Sequence, residues 1–246
     1  MSRIDRPYIF CHMMTSLDGK IMGSYMETPQ GSVAGDVFYK IAFGQNPFYR
    51  HQGWLSGRVT TDDNFTFYKK PTLDLNAAPV PAGDFIAQPD FGMFYVSIDP
   101  HGKLGWESAT LHYGDTTAHV IEVLTTQTSN AYKAFLRKLG ISYIVAGEHE
   151  LDYAVALAKL KYKFHIETLM LGGGGVLIWS FLQANMCDES QHRSGCSSRR
   201  RPGHSAALPC KRRAFRQSPA GIHSQRSQSN GWQFALASLY CKSVIS

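Results

Sequence analysis

The sequence lacks any apolar run of the length that a membrane-spanning helix requires. A span needs about 20 consecutive apolar residues, and this 246-residue chain has no such run although 43% of its residues are hydrophobic. Its first residues, MSRIDRPYIF, also lack the long apolar core of a signal peptide. We therefore expect a cytoplasmic protein that can build a sizeable core, as one large domain or two small ones.

Acidic residues are missing from the last part of the chain. Residues 190–246 contain 10 lysines and arginines and no aspartate or glutamate, a net charge of +10. Residues 1–189 contain 15 basic and 19 acidic residues, a net charge of −4, so the overall charge of +6 conceals two opposite parts. Three of the five cysteines also lie after residue 190. The composition therefore divides the chain just after Glu189.

The basic segment shows no recognised metal-binding or nucleic-acid-binding pattern. Cys196, His204 and Cys210 have spacings that match no CxxC pattern, so no metal site is expected. The basic runs 199–201 and 211–213 could contact nucleic-acid phosphates. Few aromatic residues are interleaved with them for base stacking, which disfavours nucleic acid as a partner.

Four consecutive glycines at 172–175 separate a strand-length apolar run, 166–171, from a helix-length apolar run, 176–184. Glycine lets the backbone approach a ligand, and the free N–H groups of a helix's first turn bind anions such as phosphate. A tight turn without a ligand is the alternative, but four glycines in a row favour a ligand because glycine costs backbone entropy. The spacing is not GxGxxG, so the dinucleotide fingerprint is not met.

Another turn, Gly57-Arg58-Val59-Thr60, follows a brief predicted strand at 53–56. It presents a backbone N–H, a guanidinium and a hydroxyl together, which suits a phosphate or a carboxylate. An ordinary surface turn is the alternative.

The turn at residues 17–20 follows the first predicted strand, 8–14. Its sequence, Leu-Asp-Gly-Lys, favours a tight turn and would place two charged side chains beside a cleft. An ordinary loop is the alternative. Within the strand, His12 is predicted to be a hydrogen-bonded core residue rather than a ligand.

From residue 118 onward, predicted strands and helices alternate. The apolar patterns predict strands at 93–98, 118–124, 141–146 and 166–171, and helices at 35–43, 132–139, 153–160 and 176–184. Gly140 is placed to end one helix and Asp152 to cap the next. Residues 64–90 contain four prolines and are predicted to form a long loop. Such alternation indicates a mainly parallel sheet covered by helices, with ligands bound outside the carboxyl ends of the strands.

Five motifs follow one another in a specific order. They are TSLDGKI (15–21), GWLSGRVTTDD (53–63), YVSIDPHGKLGW (95–106), ISYIVAG (141–147) and LMLGGGGVLIWSFLQANMCDE (169–189). In this order they resemble the reductase domain of bacterial riboflavin biosynthesis, and the resemblance covers residues 7–189. It implies an α/β fold of the dihydrofolate reductase type, with a mainly parallel central sheet flanked by helices. It also implies an oxidoreductase that uses NADPH for hydride transfer to a small substrate, in the family a ribosylated aminopyrimidine phosphate.

The resemblance assigns roles to single residues. It implies cofactor contacts for Met14, Gly57, Arg58, Thr60, Gly172, Gly173, Gly174, Gly175, Val176 and Leu177. Among these, Arg58 is expected near the adenosine 2′-phosphate and Met14 near the nicotinamide. Asp18, Lys20 and Asp62 are candidate catalytic residues, and no proton donor is assigned.

One position departs from the resembled family. The riboflavin reductases usually carry a glutamate that contacts the substrate where this chain has Gly172. The metal motif of cytidine-type deaminases, H-x-E with P-C-x-x-C, is also absent. We therefore expect a stand-alone reductase acting on a different small heterocyclic or carbonyl/imine compound, with no membrane partner and with a homodimer left open.

Residues 190–246 look like a message read in a shifted reading frame. In the resembled fold a core strand, a loop and a closing strand follow, but here the sequence reads SQHRSGCSSRRRPGHSAALPCKRRAFRQSPAG. Codons chosen among those permitted and shifted by one nucleotide can give HSIVVAVARDGG at 190–202, FPVNAGLFAK near 208–217, and RRYIVNP before a stop at 237–245. We therefore expect a reductase domain over 1–189 without its closing strands, and a largely irregular, frameshifted basic tail over 190–246, with regular structure at most near 232–240.

A second class of function stays open at this point. The chain is either an NADPH-dependent reductase or an inactive, truncated remnant of one, whose basic tail binds anions or nucleic acid non-specifically. Titration with the cofactor distinguishes the two.

Overall fold

Eight strands form one sheet in the part of the chain that the computed structural model describes, residues 5–195, of which 191–195 are described by their backbone alone. The strands are β1 (Tyr8–Ser16), β2 (Gly53–Gly57), β3 (Phe94–Ile98), β4 (Thr110–Tyr113), β5 (Thr116–Leu124), β6 (Ser142–Val145), β7 (Thr168–Leu171) and β8 (Glu189–Gly195). The helices are α1 (Pro29–Phe43), α2 (Arg58–Thr61), α3 (Asn130–Leu139), α4 (Tyr153–Phe164) and α5 (Gly175–Gln183), with a 3₁₀ turn (Ser24–Glu27) and a π-helical turn (Asp62–Thr66).

The sheet has the order β4-β5-β3-β2-β7-β1-β8, with β6 also paired to β5. All described pairs are parallel except the β4–β5 hairpin. Because parallel strands need crossover connections, helices cover both faces. Helices α4 and α5 pack in the core on one face, and α1 and α3 pack in the core on the other. The predicted α/β fold with a mainly parallel central sheet is therefore confirmed.

Local capping explains where two of the predicted helices begin and end. Asp152 accepts a hydrogen bond from the backbone N–H of Val155 at the start of α4. Gly140 adopts φ +71° after α3, the left-handed conformation that glycine reaches at little cost. Both predicted caps are confirmed.

Strand β1 is buried on both faces, and His12 lies within it. The His12 side chain is fully buried, its Nε2 lies 3.2 Å from the carbonyl oxygen of Phe38, and its ring stacks on the Phe38 ring. The prediction of a hydrogen-bonded core histidine is confirmed.

Residues 190–195 differ from the expectation that regular structure ends at residue 189. Strand β8 runs parallel to β1, from Phe10 opposite Glu189 to Ser16 opposite Gly195. A parallel pair is joined by backbone N–H and C=O groups, so even the polar sequence SQHRSG can form one. The first strand that we expected to be missing is present, which corrects that part of the prediction. The expectations for residues 196–246 lie outside the described residues.

Two acidic side chains hold the turn that leads into β8. Asp188 forms a two-pronged pair with Arg6, at 2.6 and 2.9 Å, and also accepts a hydrogen bond from the Ile9 backbone N–H at 2.7 Å. Glu189 accepts hydrogen bonds from the hydroxyl groups of Tyr8 and Tyr49. These contacts join the start of β1 to the start of β8.

The substitution Asp188→Ala should therefore destabilise the fold. It leaves the Arg6 guanidinium, only 14% exposed, without its carboxylate, and losing one partner of such a pair costs about 3 kcal/mol. Urea unfolding measures the loss. The matched control is Glu107→Ala, which breaks the exposed pair with Lys69 and should cost less than about 1 kcal/mol. Equal losses in the two variants would contradict the anchoring role of Asp188.

The long loop from residue 67 to residue 93 covers the edge of β6 that does not pair with β5. Phe85 pairs with Tyr143 in an antiparallel bridge, and the Asp84 carboxylate accepts hydrogen bonds from the Val145 N–H and from Lys159. Unpaired strand edges promote association between chains, so this contact gives the predicted loop a structural role. No helix among residues 5–195 is long and apolar enough to cross a membrane.

Candidate functional site

Three adjacent strands bring the predicted site residues to one edge of the sheet. Strand β7 lies between β1 and β2, and its last residue, Leu171, pairs with Cys11 on one side and Leu55 on the other. Strand β1 continues beyond Cys11 to Ser16, which forms a wall beside the end of β7. Ligands of parallel sheets bind outside such carboxyl ends.

Gly172, Gly173 and Gly174 form the turn between β7 and α5, Gly175 begins the helix, and each of the four has its own environment. The Gly172 N–H donates to the Leu55 carbonyl at 3.0 Å. A Cβ atom on Gly173 would lie 2.6 Å from the Cβ of Ser56, so only glycine fits there. Gly174 has φ +63° and precedes α5, which begins at Gly175. Packing requires glycine at position 173, and backbone conformation requires it at position 174. For these two glycines the cost in backbone entropy is explained without a ligand.

The open side of this turn faces residues from the two other predicted turns. A Cβ atom on Gly174 would lie 3.5 Å from the Thr60 Oγ1, and one on Gly175 would lie 3.4 Å from the Ile21 Cδ1. A Cβ atom on Gly57 would lie 3.8 Å from the Leu177 side chain. The fold thus brings the glycine turn, the start of α2 and the residue after the Asp18–Lys20 turn close together.

Helix α5 offers its first turn to this space. Its N-cap residue, Gly174, has no side chain that could bond the first N–H groups of the helix. The Val176 side chain, which the resemblance placed at the cofactor, is 85% exposed, whereas Leu177 is buried against the core. The arrangement leaves backbone donors and the positive end of the helix dipole available to an anion.

Arg58 lies one helical turn from Asp62 and is bound to it. The Arg58 Nη1 lies 3.0 Å from the Asp62 Oδ2, and the Arg58 side chain is 40% exposed. Thr66 Oγ1 donates to the other Asp62 oxygen at 2.6 Å. Asp62 is itself buried, so its carboxylate holds Arg58 and the π-helical turn in place. Both residues were expected at the site from the sequence, but their pairing with each other was not.

The turn after β1 holds Asp18 and Lys20 as an ion pair. The Lys20 Nζ lies 2.9 Å from the Asp18 Oδ2, and the Ser16 hydroxyl donates to the Asp18 Oδ1 at 2.5 Å. The Ser16 hydroxyl, followed by Lys20, lowers the pKa of the Asp18 carboxyl, which keeps it ionised. Only 18% of the Lys20 side chain is exposed, and the ion pair holds its ammonium in the turn after β1. The next residue, Ile21, is the one whose side chain lies near Gly175.

Met14 lies two residues before the end of β1. Its carbonyl oxygen accepts a hydrogen bond from the Tyr25 hydroxyl at 3.3 Å, which joins the 3₁₀ turn to the strand. The backbone at Met14 is therefore anchored on the wall of the site that β1 forms.

Strand β5 carries a buried carboxyl group that no pattern in the sequence indicated. Glu122 on β5 is fully buried, and its Oε1 accepts hydrogen bonds from the Trp106 indole and the Tyr132 hydroxyl. Its Oε2 has no hydrogen-bond partner among the side chains and backbone groups that the structure describes. Burial, and then the nearby charge of Asp99, raises the pKa of Glu122 well above its ordinary value of 4.5.

Glu122→Gln should therefore reduce the pH dependence of stability. A carboxyl with a raised pKa in the folded state binds its proton more tightly than in the unfolded state, so stability falls as pH rises above about 4.5. The glutamine variant lacks this titration, and its advantage over the wild type should grow with pH. Urea unfolding between pH 4.5 and 8 measures it, with the exposed Glu107→Gln as control. Parallel curves for the wild type and Glu122→Gln would contradict a protonated Glu122.

A cavity of about 300 Å³ opens at the opposite edge of the sheet. Its lining includes His51 and Gln52, which precede β2, and Met93, which precedes β3. It therefore lies at the amino ends of these strands and takes no part in the candidate site. Among residues 5–195, no three histidine, cysteine or acidic side chains cluster as a metal site requires.

Several solved structures share this fold at low sequence identity. RibD of Acinetobacter baumannii, form 1, has a TM-score of 0.54 and 18% identity, covering 84% of this chain and 50% of that one. The riboflavin biosynthesis reductase Rib7 of Saccharomyces cerevisiae has a TM-score of 0.50 and 15% identity, covering 85% and 81%. A pyrimidine reductase-like protein from Corynebacterium diphtheriae has a TM-score of 0.50 and 16% identity, covering 78% and 75%.

The chain spans half the length of the Acinetobacter RibD that it matches. No curated protein matches the sequence. Residues 103–192 match the family described as the RibD C-terminal domain, and this match runs from the loop before β4 into β8. The match to part of the chain and the similarity to these structures support an α/β fold like that of the RibD reductase domain.

Proposed function

We propose that the protein is an NADPH-dependent reductase of the riboflavin-biosynthesis type that reduces a small heterocyclic or carbonyl/imine substrate. One observation carries this proposal: the glycine turn after β7 faces Thr60 and Ile21, the turns of the two neighbouring strands, at one edge of the sheet. The fold shared with RibD and Rib7 supports the reductase class.

The residues at this edge fit a dinucleotide phosphate. The open face of Gly174 and Gly175, the uncapped start of α5 and the Thr60 hydroxyl provide donors for the pyrophosphate. Arg58 retains guanidinium donors beyond the Nη1 that binds Asp62, and 40% of its side chain is exposed. It is therefore suited to hold the additional 2′-phosphate that distinguishes NADPH from NADH.

The bound cofactor would supply the hydride, and the chain's own residues would orient the substrate. Lys20 Nζ, held by Asp18 in the turn after β1, is a charged donor that could stabilise negative charge developing on the substrate. Asp18 is ionised and hydrogen-bonded to Ser16, so its role is to hold Lys20 rather than to donate a proton. Asp62 is likewise engaged in holding Arg58.

The surroundings of Gly172 support a substrate other than the usual aminopyrimidine. A Cβ atom here would lie 2.9 Å from the Met170 Cε and 4.0 Å from both the Leu55 carbonyl oxygen and the Trp54 Cδ1, so two apolar side chains and one backbone oxygen border Gly172. It provides no carboxylate to accept hydrogen bonds from a pyrimidine edge. A substrate with a less polar ring or chain on this side fits better.

Arg58→Ala tests the proposal through cofactor preference. We expect the wild type to prefer NADPH to NADH, and the variant to lose about 1.5–3 kcal/mol of that preference because a charged hydrogen bond to the 2′-phosphate is removed. Fluorescence titration with both cofactors measures it. The control is Lys161→Ala, which removes a cation on α4 that pairs with Asp5, and it should leave the cofactor preference unchanged. An equal loss of affinity for both cofactors in Arg58→Ala would place Arg58 in another role.

A further inference from the structure

Two consecutive aromatic residues, Phe67 and Tyr68, adopt a backbone conformation that side chains rarely take. Their φ angles are +50° and +58°, in the left-handed region that favours glycine. Their side chains are 64% and 62% exposed, so burial in the core does not compensate for this strain. Strain of this kind concentrates at sites that bind ligands.

The surrounding turn fixes both residues in this conformation. The Phe67 N–H donates to the Asp62 carbonyl at 2.8 Å, and the Lys69 N–H donates to the Thr66 carbonyl at 3.0 Å. The Tyr68 hydroxyl donates to the Asp63 carboxylate. The two rings are therefore presented to solvent by a defined turn.

This turn lies next to Arg58, on the side of the site away from the glycine turn. It directly follows the π-helical turn, whose first residue, Asp62, binds Arg58. The hydrogen bond to Asp63 raises the pKa of Tyr68, and the charge of Arg58 opposes that rise, so the Tyr68 hydroxyl lies within electrostatic reach of Arg58. The next residue, Lys69, packs its backbone against Gly105 in the connection that follows β3.

The order of the strands arranges three features of the site in a row. The glycine turn ends β7, Arg58 follows β2, and the aromatic pair lies toward β3, so the three features follow the order of strands β7-β2-β3. A ligand with phosphates at the glycine turn and at Arg58 would carry its next group onto the two rings. In a dinucleotide phosphate, that group beside the 2′-phosphate is adenine.

We propose that Phe67 and Tyr68 form a stacking platform for the adenine ring of the cofactor. This inference rests on the proposed function, because it assumes that the cofactor lies across β7, β2 and β3. Aromatic side chains stack on any nucleobase through their faces, and each stacked base strengthens binding by about tenfold. With this platform, the adenosine part of the cofactor contributes to binding affinity on its own, whatever substrate accepts the hydride.

The test uses the full-length protein and replaces both rings by glycine, in the variant Phe67→Gly/Tyr68→Gly. Glycine accepts positive φ without strain, so the substitution removes the rings without imposing a new backbone cost. The matched control is His165→Gly, another exposed residue with φ +54°, in the turn between α4 and β7 at the opposite edge of the sheet. Calorimetric titration with NADPH and with adenosine 2′,5′-bisphosphate measures affinity, and thermal unfolding checks that each variant is folded.

We expect the double variant to bind both probes about tenfold or more weakly, with unchanged or increased stability, while His165→Gly binds like the wild type. Tyr68→Phe, which removes only the bond to Asp63, should retain most of the affinity. If the double variant binds adenosine 2′,5′-bisphosphate as tightly as the wild type does, the proposed platform is wrong, whether or not NADPH binding changes. If the wild type binds neither probe, the proposed function fails and the platform fails with it.

Discussion

Gly175→Asp should weaken NADPH binding on the order of a hundredfold while leaving the fold intact. Gly175 is the first residue of α5, where an acidic side chain favours the helix through its dipole, and its Cβ atom would make only an ordinary 3.4 Å contact with Ile21. The new carboxylate would lie where we place the pyrophosphate. Like charges a few ångströms apart near a protein surface repel by about 3–4 kcal/mol.

The matched control is Gly175→Asn, which has nearly the same shape without the charge. It should bind NADPH within about tenfold of the wild type, so the difference between the two variants isolates the phosphate charge. Gly173→Asp is less informative, since its Cβ atom would lie 2.6 Å from the Cβ of Ser56 and would disturb the packing of the turn. Equal affinity in Gly175→Asp and Gly175→Asn, both folded, would remove the phosphate from this turn.

Restoring the reading frame after Glu189 should raise the melting temperature by about 10 °C or more. Strand β8 lies beside β1, whose residues Phe10, Cys11 and Met13 are buried, yet the sequence 190–195 contains no apolar residue. The shifted frame can encode HSIVVAVARDGG, which would add several valine and isoleucine side chains at this position. Each buried side chain of this size contributes about 1.5–3 kcal/mol, and each kcal/mol raises the melting temperature by about 2–4 °C at this chain length.

Thermal unfolding and limited proteolysis compare three chains: the given sequence, the frame-restored sequence and a chain that ends at Gly195. We expect the frame-restored chain to be the most stable and the most soluble. The given chain should lose residues after Gly195 to protease without losing its remaining fold. A given chain that melts cooperatively at the temperature of the frame-restored chain, with a protease-resistant 196–246 segment, would contradict the frameshift interpretation.

Much of the fold could be predicted because short segments carried complete signals. The apolar runs of β3, β5 and β7 could be recognised as strands without knowing which strands they pair with. Gly140 and Asp152 indicated helix ends because both act through local backbone hydrogen bonds and conformation. Strand β4 was missed because its four residues, TLHY, are too few for an alternating pattern. Strand β8 was missed because its pairing depends on β1 and not on its own polar sequence.

The site was predictable as a set of turns but not as a set of contacts. The glycine turn and the turn at Gly57 were visible because glycine is informative at single positions. The bond between Arg58 and Asp62 was not visible, because the helix that spaces them is only four residues long. Nothing in the sequence marks Phe67 and Tyr68, because positive φ at non-glycine residues arises from the surrounding hydrogen bonds.

Titration of the wild-type protein with NADPH and with NADH shows whether this edge of the sheet is a dinucleotide site. We expect saturable binding of one cofactor per chain, with NADPH bound more tightly because Arg58 lies at the edge of the site. Competition by adenosine 2′,5′-bisphosphate should displace it. If neither cofactor binds to protein that unfolds cooperatively, the edge formed by β1, β7 and β2 is not a dinucleotide site and the chain is not an NADPH-dependent reductase.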